Sequence, residues 1–168
     1  LVDYQRANHV RPNQINVLEI GCSNGCNIAL PLDELGYRVT GIDMHEPSIE
    51  WARSVKSNAR FVCQDANSYR PNRKFDVVIL SDILEHVSDP RTIVQSSMKQ
   101  TSQGGLILIC IPNGRGPYEI EQSFLEATKL NAIIEACRRL IKTILRMPPT
   151  KRQDYNYDSG HIQFFSLA

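Results

Sequence analysis

The stretch "VLEIGCSNG", Val17 to Gly25, decides how the chain folds. Apolar residues flank one carboxylate, Glu19, and the run then breaks on Gly21 and Gly25. A short apolar run that ends in a glycine turn and leads into a helix-compatible segment predicts a buried strand, a tight turn and a helix. A carboxylate near the end of a buried strand needs a partner, because burying an unpaired charge is costly.

Four further runs have the same character: Arg38 to Ile42, Arg60 to Cys63, Phe75 to Leu80 and Leu106 to Ile111. Each is short, rich in β-branched residues and separated from the next by a segment long enough for a helix. The alternation predicts an α/β domain with a parallel sheet and helices on both faces. Helices are expected at about Asn24 to Leu35, Pro47 to Ser57 and Pro90 to Thr101, the last two opening on proline, with Ser88 or Asp89 as a cap. Pro31 predicts a kink or a late helix start, because an interior proline removes a hydrogen bond. Beyond the prolines and glycines of "PNGRGP", apolar residues at steps of three or four predict one long or two shorter amphipathic helices over Glu119 to Arg146.

Length and composition bound the rest. With 168 residues and 42 % hydrophobic content, the chain is long enough for one domain with its own core. The expected division is a core over 15–112, a helical insertion or lid over 113–160, and a C-terminus cut short of the native one. The 19 Lys plus Arg against 18 Asp plus Glu give no global reason to expect a polyanionic partner. No apolar run reaches the roughly 18 residues of a membrane span. Five cysteines without disulfide-framework spacing predict a reducing, cytoplasmic location. Cys22 and Cys26 form C-x3-C, but the third ligand of a radical iron–sulfur site would fall at Ala29, so no metal is expected.

A glycine turn between a first parallel strand and a helix binds nucleotide-like ligands at the carboxyl ends of the strands. Gly21, Ser23 and Cys26 lack two of the three glycines of a dinucleotide fingerprint, and no Gly-Lys-Ser/Thr ending makes a P-loop. Glu19 would repel a pyrophosphate and attract an ammonium or sulfonium group. S-adenosylmethionine has both cationic groups, a ribose and an adenine. Gly21 permits close approach of the methionine end. Asp43, ending "VTGID", suits the ribose hydroxyls, as does the acid about 20 residues after such a turn. Asp65, ending "FVCQDA", suits the adenine amino group, and Ser81 with Asp82 stand beside the methionine part.

With these residues in place, the chain resembles the class I S-adenosylmethionine-dependent methyltransferases. "VLEIGCSNG", "VTGIDMHEPSIEWAR", "FVCQDA", "FDVVILSDILEHVSDP" and "GGLILICIPNG" match the family's motifs in order over about Val17 to Asn113. The likeness is strongest to the small-molecule branch of ubiquinone-biosynthesis and polysaccharide-associated enzymes, where "LEH" and a late "H-x-x-F-F" recur. The resemblance implies a Rossmann-like, doubly wound, mostly parallel sheet, lacking in this chain the usual C-terminal antiparallel hairpin, so that the fifth strand is left as an apolar edge. It implies that Glu19, Gly21, Cys22, Ser23, Asn24 and Gly25 surround the methionine part, Asp43 the ribose, Met44 the adenine face, and Asp65 with Ala66 the adenine edge. S-adenosylhomocysteine would be the product. Ser23 departs from the family's middle glycine and restricts the backbone there.

Methyl transfer is an in-line displacement in which alignment supplies most of the catalysis. Where the acceptor must lose a proton, His86 in "LEH" is one candidate base and His161 in "SGHIQFF" another. The plainer readings are that His86 caps a turn or bonds Glu85, and that His161 orders a loop. Tyr118 and Glu119 line the acceptor pocket or cap the next helix. Arg138, Arg139, Lys142, Arg146, Lys151 and Arg152 form either a solvated helix face or a dock for an anionic acceptor or an anionic membrane surface. Nucleic acid is not the expected partner, since the fourth strand ends in "SDIL" without a base-flipping Asn/Asp-Pro-Pro-Tyr motif. The expected activity is O- or N-methylation of a small molecule. Its rivals are a non-catalytic binding module of the same fold and a nicotinamide-dependent oxidoreductase.

Overall fold

The computed structural model describes residues 1–112, and four of its five strands fall where the apolar runs predict them. The strands are β1 (Asn16–Ile20), β2 (Arg38–Asp43), β3 (Arg60–Cys63), β4 (Phe75–Ser81) and β5 (Thr101–Cys110). They form one sheet in the order β3-β2-β1-β4-β5, and every neighbouring pair is parallel. The order reverses at β1, so the chain crosses from β3 at one edge to β4 beside the centre. That reversal opens a crevice at the carboxyl ends of β1 and β4.

The helices are α1 (Val2–Asn8), α2 (Ala29–Glu34), α3 (Glu46–Ser54) and α4 (Pro90–Gln100). The sequence gives no signal for α1, which buries no residue of its own. The first predicted helix begins five residues late, at Ala29, with Pro31 in its first turn, where a missing N–H leaves no bond unmade. Both prolines expected to open helices do so, and Asp89 caps α4 by accepting from the Thr92 N–H.

One face of the sheet packs Val17, Val39, Val77 and Ile79 in a cluster with Ala29 and Leu30 of α2 and Ile49 and Ala52 of α3. Strand alternation turns Leu18, Ile20, Val78 and Leu80 to the other face, where they too are buried, as is Ile93 of α4. A central parallel strand covered on both faces explains why β1 reads as a nearly continuous apolar run.

β5 departs from its predicted limits. It follows α4 with no intervening loop, pairs Thr101 with Phe75, bulges through residues 102–105 and resumes at Leu106 opposite Val77. Gly104, at φ +76°, takes the bend. β5 is the edge of the described sheet, with Leu108, Ile109 and Ile111 partly exposed.

Candidate functional site

Two sharp corners face each other across the crevice. The first follows β1, where Gly21 and Ser23 have φ of +78° and +48°; the second follows β4, where Asp82 has φ of +51°. Left-handed backbone at a non-glycine residue costs about 1 kcal/mol, and it collects at sites where the surroundings hold it. At Gly21 a side chain is excluded twice, by the positive φ and because a Cβ there would stand 2.6 Å from Ile83 Cδ1. The two corners therefore close on each other across a glycine.

The first corner is held by β2. Gly21 and Cys22 donate their N–H groups to the Ile42 carbonyl at 2.8 and 3.1 Å, and Ser23 donates its N–H to Asp43 Oδ2 at 2.7 Å. The other carboxylate oxygen of Asp43 accepts from the His45 N–H at 2.8 Å. The Ser23 hydroxyl lies 3.4 Å from the buried hydroxyl of Ser48, which is 2.7 Å from His45 Nδ1. A strained serine is thus tied to β2 through its backbone and to α3 through its side chain.

The cleft between the corners has a volume of about 570 Å3. Of the residues singled out in the sequence, it is lined by Gly21, Ser23, Asp43, Met44, Asp65, Ala66, Asp82 and His86. Asp65 accepts from the Asn67 N–H at 2.8 Å through Oδ1, and its other oxygen has no partner among the described residues. Ser81 does not line the cleft, and its hydroxyl donates to Asp82 Oδ2 at 3.1 Å. His86 faces the cleft with Nε2 3.9 Å from Glu85 Oε1, too far for the hydrogen bond to Glu85 that the plainer reading expected.

Five residues expected around the ligand lie outside the lining: Ser81, and Glu19, Cys22, Asn24 and Gly25. Glu19 is the chief correction, at 4 % exposure. It pairs with Gly41 and Ile79 one residue before the end of β1, on the face that carries Val17. Burial pushes its carboxyl up to about 8, the Ala29 N–H draws it back, and the Asp43 charge pushes it up again. Glu19 thus sits beneath the start of α2, bonded to the Ala29 N–H, and its carboxyl is not part of the cleft lining. Cys22 is buried against Gly41, where a Cβ would meet its Sγ at 2.7 Å, and burial first, then Glu19 and Asp43, raise its thiol. Asn24 turns inward to accept from the Cys26 N–H at 3.2 Å, and the Cα of Gly25 faces Phe61. His161, Tyr118, Glu119 and the basic residues Arg138 to Arg152 lie outside the described residues.

Sequence reading missed Gln64, Asn67, Ile83 and Val87, all of which line the cleft. The usable signal was their place just after strand ends, where loops of a parallel sheet reach the crevice. Among the described residues no group of three or more His, Cys, Asp or Glu is arranged to hold a metal, and no helix is long and apolar enough to cross a membrane.

A parallel sheet reversing at its first strand, with an acid-lined cleft at the reversal, defines a Rossmann-like nucleotide-type binding domain. The chain belongs to the methyltransferase-domain family, whose model it matches over residues 3–168. It is 33 % identical over 103 residues to the ubiquinone biosynthesis O-methyltransferase of Idiomarina loihiensis, covering 58 % of this chain and 42 % of that protein. The chain therefore spans less than half the length of this curated relative. TehB from Haemophilus influenzae superposes with a TM-score of 0.52 at 28 % identity, covering 65 % of this chain and 40 % of that one. The plantazolicin methyltransferase BpumL, crystallised with a monoazolic desmethylPZN analogue and SAH, shares the fold with a TM-score of 0.59 at 22 % identity, over 74 % of this chain and 47 % of its own.

Proposed function

We propose that the chain binds S-adenosylmethionine in the cleft and transfers its methyl group to the hydroxyl of a small-molecule acceptor, releasing S-adenosylhomocysteine. The observation that carries this reading is the convergence of Asp43, Asp65 and Asp82 on one cleft, in a member of the methyltransferase-domain family. The residues fit the cofactor. Gly21 lines the cleft with bare backbone, the place of a Cβ being taken by Ile83 of the second corner. Each oxygen of Asp43 accepts one backbone N–H and keeps a lone pair for a ribose hydroxyl. The second oxygen of Asp65 is available to an amino donor, and Met44, 71 % exposed on the rim, offers an apolar surface to a flat base.

When bound, the sulfonium supplies an electrophilic methyl group. The protein's share is to hold that group in line with the acceptor oxygen and to exclude water from between them. A base at the acceptor end of the cleft would take up the proton that the acceptor hydroxyl gives up. His86 is the base we assign, since it lines the cleft on the β4 side beside Asp82 with the Glu85 carboxylate behind it. Relatives named as O-methyltransferases support oxygen as the acceptor atom. The charge of Arg138, Arg139 and Lys142 supports an anionic acceptor, and neutralising all three should weaken acceptor binding while leaving cofactor binding intact. Cysteine usage supports a cytoplasmic location.

Calorimetry on the full chain with S-adenosylhomocysteine and with NADH tests the core of the reading. Saturable one-site binding of S-adenosylhomocysteine alone is expected. Binding of neither adenosyl compound would leave a non-catalytic module of this fold, and binding of NADH alone would make the protein an oxidoreductase.

A further inference from the structure

A second cavity, of about 410 Å3, lies beside α4, away from the corners at β1 and β4. It exists because the link from β3 to β4, residues 64–74, contains turns and no helix, so that α4 meets a loop there. Thr92, Gln95, Ser96 and Lys99 recur at steps of three and four, which brings them to the side of α4 that lines this cavity. This side of α4 borders the inward face of Ile93, Ser97 and Gln100 and is open to solvent at Thr92, Gln95 and Lys99, so the groove is walled by a hydroxyl pair, an amide and an ammonium.

The loop side adds Arg70, Arg73 and Lys74. Four cations line the cavity and no carboxylate does. None of the four has a carboxylate partner among the described residues, and only Arg70 is tied down, through its donation to the Asn67 and Tyr69 carbonyls at 2.7 and 3.0 Å. Like charges gathered without counter-charges repel one another and favour an anion between them. In the wall, Gln100 is 5 % exposed; its Nε2 donates to the Tyr69 carbonyl at 3.2 Å, while its Oε1 has no hydrogen-bond partner. The wall thus combines cations for a phosphate with the hydroxyls of Thr92 and Ser96 and the amide of Gln95, while the Gln100 oxygen is buried behind it.

We propose that this cavity is a binding site for a small phosphorylated, hydroxyl-bearing ligand of the sugar-phosphate class, separate from the methyl-transfer cleft. Arg73, Lys74 and Lys99 take the phosphate, and Ser96 and Gln95 face the hydroxylated body, with Gln100 behind Ser96 at 3.4 Å. A nucleic acid strand is the poorer fit, because the only aromatic residue in the lining, Tyr69, is buried and cannot stack on a base, and the chain as a whole carries a net charge of only +1. Asn67 lines both this cavity and the cleft, so the two sites are neighbours and occupancy of one is positioned to influence the other.

The test is titration of the full chain with glucose 6-phosphate and, separately, inorganic phosphate, followed by calorimetry and by backbone amide shifts of residues 67–74 and 92–100. One saturable site is expected, tighter for the sugar phosphate. The double variant Arg73→Glu/Lys99→Glu, at two exposed positions, should weaken both ligands by about tenfold or more through loss of charge-assisted hydrogen bonds. Ser96→Ala should weaken the sugar phosphate alone. S-adenosylhomocysteine affinity serves as the control and should survive all three substitutions, so a failure of the cofactor reading is seen separately. Absence of saturable binding, indifference to the charge reversal, or tighter binding of single-stranded DNA or of phosphatidylglycerol vesicles than of the sugar phosphate overturns the proposal. Should the double variant lose its circular dichroism spectrum, Lys74→Glu alone decides, with weakened binding supporting the site and unchanged binding removing it.

Discussion

The corner after β1 and the corner after β4 each hold a non-glycine residue in left-handed backbone, and they are secured by different means. Ser23 is bound by Asp43 through its N–H and reaches Ser48 with its hydroxyl. Asp82 is held chiefly by its N–H on the Cys110 carbonyl at 3.0 Å, while its carboxylate accepts from Ser81 and lies open to the cleft. The first corner is therefore built to keep a shape, and the second to present side chains. Under the proposed function, that division suits rigid binding of the cofactor at the first corner and adaptable contact with an acceptor at the second.

The largest effect should come from the carboxylate that fastens the first corner. Asp43→Ala removes the acceptor for two backbone N–H groups and should destabilise the fold by about 3 kcal/mol, with S-adenosylhomocysteine binding lost; urea denaturation with calorimetry reads both. A variant that keeps its stability and its binding would show that the corner does not depend on Asp43. At the second corner, His86→Asn should lower methyl transfer about 100-fold, measured as S-adenosylhomocysteine release with a panel of phenolic acceptors. Cofactor affinity and stability should hardly change, and a matching fall in affinity would erase the distinction between the corners.

Beneath the first corner, Glu19 makes the fold sensitive to alkali. Its carboxyl is raised from the ordinary 4.5 to about 8 in the folded state. Between those values the unfolded chain has released a proton that the folded one keeps, so stability falls as pH rises and reaches its floor above about 8. Glu19→Gln should flatten that decline in denaturation series across this window; an unchanged slope would assign the pH dependence elsewhere. Smallest of all, Ser48→Ala and Ser23→Gly should each shift stability by about 1 kcal/mol or less, the second because relief of positive φ offsets the lost hydroxyl contact. A large loss in Ser23→Gly would mean that the side chain contributes more than the 3.4 Å contact suggests.

Much of this was legible in the chain. β3 matches its predicted bounds, and β1, β2 and β4 lie within one residue of theirs at each end, because a buried parallel strand needs a short β-branched apolar run and little else has that composition. The late start of α2 followed from Pro31. The start of β5 was not legible, since Thr101 joins the ladder through one pairing with Phe75 and a bulge of polar and glycine residues carries no apolar signal. Asp43, Asp65 and Asp82 were found because each sits at or just past the end of a strand. That Glu19 is buried beneath α2 and not in the cleft lining was not legible, for a reason of register: on β1, alternation sends its side chain to the face that carries Val17.

The sequence by itself determined the strands, the turn at Gly21 and the acids that end successive strands, since these depend on local backbone preference and on the two-residue period of a strand. Tertiary structure alone decided that Glu19 is buried, that Ile83 closes on Gly21, that Ser48 meets Ser23, and that four cations gather beside α4. Those contacts join residues far apart in the chain, and no local preference encodes which distant side chain fills the space beside a given backbone atom. The chain's own chemistry sets what each residue can do; packing sets what each one faces.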